Sequence, residues 1–221
     1  VIAVAKHRPA KAESFSLPIA GNRIFLDAVA IKPHRSARPA TPRLRFDKVA
    51  LEFVDGLRSA LQAEVPHGKT LVLSVTAPIR QSGKTATAFE DIIRKGLARR
   101  RARLDMRGTI EGNEVRCRLL SVPCAAKVIG FVHNPNIDGT VLLDAVEAFL
   151  AALATAERKR AGSKAKGERW LVVMGEDGFA EAYRQICAAG PPATGFTKVL
   201  LVLDSGRVCE APLHSASTIS R

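Results

Sequence analysis

The amino-acid sequence predicts an α/β fold, a mixed and mostly parallel sheet flanked by helices with hairpins at its edges. Three observations predict it. Short runs rich in Val, Leu and Ile (LVLSV at 71–75, KVIGFV at 127–132, WLVVM at 170–174, KVLLVL at 198–203) alternate with stretches of helical period. That alternation favours parallel pairing through right-handed crossovers. Two pairs of extended runs flank turn residues, EGNE at 111–114 and Asp204-Ser205-Gly206, and predict hairpins that add antiparallel edges. Finally, 47% of the 221 residues are apolar and 25% charged, enough to close a sizeable core. With only 5% aromatics, that core rests on Val, Leu, Ile and Ala.

Residues 1–22 read as a basic, poorly ordered tail. IFLDAVAI at 24–31 reads as a strand, and the proline-rich, basic stretch 32–45 as a loop. Ala50, Phe53, Val54, Leu57, Ala60 and Leu61 fall on one helical face, ended by Pro66 and Gly68. After the 71–75 strand, Ser82 caps a helix in which Ala86, Phe89, Ile93 and Leu97 share a face. The hairpin 103–110/114–120 follows, then the 127–132 strand and the turn HNPN. Asp138 opens a helix with Val141, Leu142, Ala145, Phe149 and Leu150 on one side. Asp144 and Glu147 interrupt residues 141–156, so this stretch reads as an amphipathic helix rather than a membrane span. A strand at 170–174, a helix at 179–187, the closing hairpin and a tail at 213–221 complete the chain.

In this order the elements spell β-α-β-α-β-β twice, over 23–122 and 123–212. That suggests an internal duplication whose halves share one sheet or form two lobes.

The net charge is +13, unevenly placed. Residues 1–47 hold nine Lys/Arg against three acids, residues 94–107 seven against one, and residues 157–169 six against two. Basic segments attract polyanions through counterion release, with little sequence selectivity. Arg94, Lys95, Arg99, Arg100, Arg101, Arg103 and Arg107 are therefore the candidate nucleic-acid contacts, with 157–169 as a second, linker-like contact. No aromatics interleave these runs, so they carry no base-stacking platform.

Cys117, Cys124, Cys187 and Cys209 show no C-x-x-C spacing and read as buried free thiols. No His or Cys pair has metal-ligand spacing, so no metal site is predicted, and no motif names a cofactor. Without a secretory pattern at the start, the chain reads as cytoplasmic and not membrane-bound.

One string carries local chemistry. Residues 76–85 (TAPIRQSGKT) follow a strand and open a helix, and end like a phosphate-binding loop. Pro78 stands where that loop needs glycine, and proline offers no N–H. A reduced anion site remains, from Arg80, Ser82, Gly83, Lys84 and Thr85 at a helix start. A second constellation follows from topology, because ligands of open α/β sheets bind beyond the carboxyl ends of parallel strands. Thr76, His133 with Asn134, Glu176 with Asp177, and Lys32 with His34 all stand at such ends. His133 would act as general base or metal ligand, oriented by Glu176 or Asp177, with Lys84 and Arg80 binding the anionic part of a substrate.

Three readings stand open. The chain binds nucleic acid or another polyanion through 94–107 and 157–169. Alternatively it is an enzyme or sensor for a small phosphorylated ligand at the Ser82 helix start and the strand-end rim. In the third, it is a structural protein that binds a partner and no ligand.

Overall fold

The computed structural model of the chain describes residues 13–19, 22–31, 45, 47–99, 104–122, 124, 126–135, 139–162, 167–188 and 195–211. Among them the elements run β1 (Glu13–Ile19), β2 (Asn22–Ala30), α1 (Lys48–Leu61), β3 (Thr70–Thr76), α2 (Ser82–Ala98), β4 (Asp105–Ile110), β5 (Asn113–Leu120), β6 (Val128–His133), α3 (Gly139–Ala161), β7 (Glu168–Gly175), α4 (Ala180–Ala188), β8 (Lys198–Leu203) and β9 (Val208–Ala211). A 3₁₀ turn, Asp177–Phe179, leads into α4.

The α/β class holds, with two mixed sheets in place of one. Sheet A has the order β1-β2-β7-β8-β9 and sheet B the order β4-β5-β3-β6. The pairs β2/β7, β7/β8 and β3/β6 are parallel. The four remaining pairs are antiparallel, so the sheets are not mostly parallel. The two sequence halves exchange strands. β2 joins the sheet of the second half, and β6 joins the sheet of the first. The repeated element order is not a repeated topology. Hairpin β4–β5 lays its second strand against β3, whereas hairpin β8–β9 lays its first strand against β7. An internal duplication is not confirmed.

Two spans differ from expectation. Residues 13–19, read as tail, form edge strand β1, where the exposed Ser14 donates its hydroxyl to Asp27. Residues 157–161, read as linker, continue α3. Their Glu-Arg-Lys-Arg-Ala composition favours helix, and Glu157 pairs with Arg160 one turn on.

Packing places the layers. On α1 the expected face (Ala50, Phe53, Val54, Leu57, Leu61) is buried, and the Asp47 side chain caps the helix by accepting the Ala50 N–H at 3.1 Å. Together with Phe89 and Ile93 of α2, this face covers one side of sheet B at Leu71, Leu73, Val75, Val115 and Cys117. The other side of sheet B (Val72, Leu120, Ile129, Phe131) packs on α3, whose far side meets Val29, Leu171, Val173 and Leu201 of sheet A.

α3 therefore needs apolar residues on two sides, not the one that was read. Leu142, Leu143, Val146, Phe149, Leu150 and Leu153 are all buried. By length and composition α3 is apolar enough to cross a membrane. Here those side chains form the core, and the interrupting Asp144 and Glu147 both bind Arg118 of β5, at 2.6 and 2.9 Å.

None of the four cysteines is in a disulfide; three are buried and Cys209 is half-buried. Burial pushes the Cys117 and Cys187 thiols up to about 12.

Candidate functional site

The helix start at Ser82 is built differently from the expected anion loop. Gln81, not Ser82, is the cap residue, in left-handed backbone with φ 44°, and its side chain makes no cap hydrogen bond. The loop is held from below by Asn113, which follows a tight two-residue turn in which Glu111 and Gly112 both have positive φ. The Asn113 carboxamide oxygen accepts the Arg80 N–H at 2.8 Å. Its amide nitrogen donates to the carbonyls of Arg80 (2.9 Å) and Ile110 (3.1 Å) and to Thr85 Oγ1 (2.9 Å). Thr85 is fully buried and its hydroxyl donates to the Arg80 carbonyl, so it faces the core rather than a ligand. An amide that a phosphate cradle would use is thus spent within the fold. Ser82, Gly83 and Lys84 stay exposed.

A denser polar cluster lies at the carboxyl ends of β3 and β6, where α3 begins. Thr76 and His133 are register partners there, and Ser74 is the partner of Arg116 on β5. Strand alternation turns Ser74, Thr76, Arg116 and His133 toward the face that α3 covers. Ser74 is fully buried, His133 is 2% exposed and Arg116 6% exposed. Arg116 donates to Thr140 Oγ1 and stands 3.8 Å from the Glu114 carboxylate. Thr76 Oγ1 accepts the Glu114 N–H at 3.0 Å.

His133 Nδ1 lies 3.0 Å from the Asn134 carbonyl. A carbonyl only accepts, so Nδ1 carries the hydrogen and, in the neutral ring, Nε2 carries the lone pair. Gly139 closes the cluster. A Cβ there would stand 2.8 Å from Ser74 Oγ, 3.0 Å from His133 Nε2 and 3.1 Å from Arg116 Cδ. Only glycine lets the helix approach this closely. The Ser74 hydroxyl has no hydrogen-bond partner among the described residues.

The expected catalytic set is divided between the sheets. His133 ends β6 in sheet B, while Glu176 and Asp177 follow β7 in sheet A. Asp177 is committed to the neighbouring loop. Its carboxylate accepts from Ser205 N (2.9 Å), Ser205 Oγ (2.8 Å) and Arg207 (3.4 Å), and its own N–H reaches Asp204. Hydrogen bonding with the Asp204 side chain, then from Ser205, together with the Arg207 charge, holds its carboxyl below the ordinary value. Glu176 is half-buried beside Tyr183, whose phenol is pushed up by burial and by the Glu176 charge.

Among the basic candidates, Arg94 is neutralised by Glu64 (2.5 Å) and Glu90. Lys95, Arg99 and Arg107 are exposed. Arg100, Arg101 and Arg103 lie outside the described residues, as do Lys32, His34 and Asp138.

The sequence reading missed Ser74, Arg116 and Gly139. Two signals were present. Ser74 interrupts an apolar run, and Arg116 with Arg118 at period two puts both arginines on one strand face. Comparison with protein-family models, with curated proteins and with solved structures gave no match to this chain, so its functional reading rests on the geometry above.

Proposed function

We propose that this chain binds a small anionic ligand, bearing a phosphate or a carboxylate, at the carboxyl ends of β3 and β6 where α3 begins. The observation that carries this reading is a buried arginine, Arg116, beside a fully buried serine hydroxyl, Ser74, that has no partner among the described residues. An unpartnered buried hydroxyl costs about 1–3 kcal/mol. A buried hydroxyl left unsatisfied in the fold is a place where a ligand can be held. Arg116 and the leading N–H groups of α3 would take the anion's oxygens, with Ser74 as the floor and His133 at the side. The position is also where ligands of open α/β sheets bind.

The test is thermal unfolding with inorganic phosphate, mononucleotides and small carboxylates. A ligand at about a hundred times its dissociation constant adds about 2.7 kcal/mol. Ser74→Ala is expected to keep or slightly raise the stability of the ligand-free chain and to lose most of the ligand shift. Absence of a shift with every such anion sinks the reading, and so does a full shift in Ser74→Ala.

A separate observation favours a second reading, polyanion binding. α2 and α3 both run back from the carboxyl ends of their strands, so their basic last turns emerge at the opposite end of the molecule. Lys95 ends α2 and Arg158, Lys159 and Arg160 end α3. Binding to DNA or RNA would then weaken with salt, and changing Lys95, Arg99, Arg107 and Arg158 to glutamine is expected to lower the log–log salt slope by about 3. An unchanged slope in that variant excludes these residues as the contact.

A further inference from the structure

The face of sheet B that carries Ser74 and Arg116 runs on to edge strand β4. The register there sets Asp105 opposite Arg118, Arg107 opposite Arg116 and Thr109 opposite Glu114. Residues opposite each other in an antiparallel pair share a side of the sheet, so Asp105, Arg107 and Thr109 lie on the α3 side. The intervening Met106 and Ile110 pack into the core on the other side. Arg107, Arg116 and Ser74 thus form one row across the sheet. The row passes from the exposed Arg107 to the 6% exposed Arg116 and the fully buried Ser74.

The two arginines of β5 face different charges across the strand pair. Arg118 is answered by Asp105 at 3.1 Å and by Asp144 and Glu147 of α3. Arg116, two residues away, faces a second arginine. Their Cβ atoms stand about 5 Å apart, and like charges directly opposite on paired strands are destabilising. Glu114 reaches Arg116 at 3.8 Å, whereas Arg107 makes no ion pair or hydrogen bond among the described residues.

On the reading that an anion binds where α3 begins, we propose that this anion is a phosphoryl group carrying two negative charges, with Arg107 as its second guanidinium. A phosphate monoester is about doubly charged at neutral pH, while a carboxylate or a sulfate ester carries a single charge. Two guanidiniums in one row match the dianion, and its charge relieves their repulsion. Strands stand about 4.8 Å apart, less than the length of an arginine side chain. An anion over Arg116 is therefore within reach of Arg107 on one side and Ser74 on the other. Asp105, Arg107 and Thr109 are all exposed, so the row opens to solvent at β4, and any carrier of the phosphoryl group lies on that side.

Isothermal titration of the full chain compares phenyl phosphate with phenyl sulfate, which has the same shape and less charge, with benzoate and with inorganic phosphate. Phenyl phosphate is expected to bind about tenfold more tightly than phenyl sulfate or benzoate. Arg107→Gln should lower its affinity about tenfold, the effect of losing one charge-assisted hydrogen bond, and nearly abolish the preference over phenyl sulfate. Arg184→Gln, which removes the same charge from an exposed position of α4, should leave both unchanged. Without ligand, Arg107→Gln should melt at or slightly above the parent temperature, because the repulsion is gone. Anions that bind and depend on Ser74, yet show no preference for the phosphate ester, overturn the proposal and leave the site standing. An Arg107→Gln loss no greater than that of Arg184→Gln does the same. No binding of any of the four removes site and proposal together. Inorganic phosphate binding as tightly as phenyl phosphate upholds the proposal with the free ion as ligand, and a tighter phenyl phosphate upholds it with an ester.

Discussion

Asp27→Ala is expected to cost about 3–5 kcal/mol in urea unfolding, because it strands a buried guanidinium without its counter-charge. Asp27 is fully buried on β2 and Arg169 of β7 is 7% exposed, with 2.7 Å between their charged atoms. The carboxylate also accepts from Ser14 on β1, so one side chain ties three strands together. Arg169 Nη1 lies 3.5 Å from the Arg160 carbonyl near the end of α3, and its Nε has no partner among the described residues. The pair is thus essential as a pair but is not a source of large net stability. Replacing both partners, as Asp27→Leu with Arg169→Met, is expected to recover most of the loss, since apolar residues avoid the desolvation cost. A cost below about 1 kcal/mol for Asp27→Ala would show that the guanidinium finds water or another acceptor, and would refute this account.

Phe149→Ala is expected to cost about 3–5 kcal/mol, the range for deleting a buried aromatic ring. Phe149 is fully buried on α3 and stacks on Tyr183 of α4 at 4.8 Å between ring centres. The same core cluster contains Val72 and Phe131 of sheet B and Leu171 and Val173 of sheet A. A cavity at this position therefore weakens both sheets at once. Unfolding followed by Trp170 fluorescence, which reads sheet A, and by far-ultraviolet circular dichroism, which reads the whole chain, should shift together. Two separated transitions would mean that the sheets unfold independently and that α3 does not couple them. Tyr183→Phe provides the contrast. Its hydroxyl is buried without a partner among the described residues, so its removal should be nearly neutral.

The candidate site shows where local reading ends. Thr76 and His133 were placed at strand ends by pattern alone, and they are indeed neighbours across β3 and β6. What surrounds them could not be read that way. Arg116 reaches them because β5, distant in sequence, pairs antiparallel with β3 and sets Arg116 opposite Ser74. Glu176 and Asp177 were grouped with His133 on the assumption of a shared sheet, and the strand exchange puts them on the other one. Thr85 was read as a ligand-facing residue. Asn113, 28 residues away, turns it into a buried acceptor.

Sequence by itself determined what depends on neighbours along the chain. Alternation and helical period give most of the strands and all four helices, the Glu111-Gly112 turn follows from its residue types, and the α1 face follows from spacing. Tertiary structure alone decided which strands pair, that the halves trade β2 and β6, and that α3 is buried on two sides. These features arise from contacts between segments far apart in sequence. An apolar side chain carries the same local signal whether it meets one sheet or two.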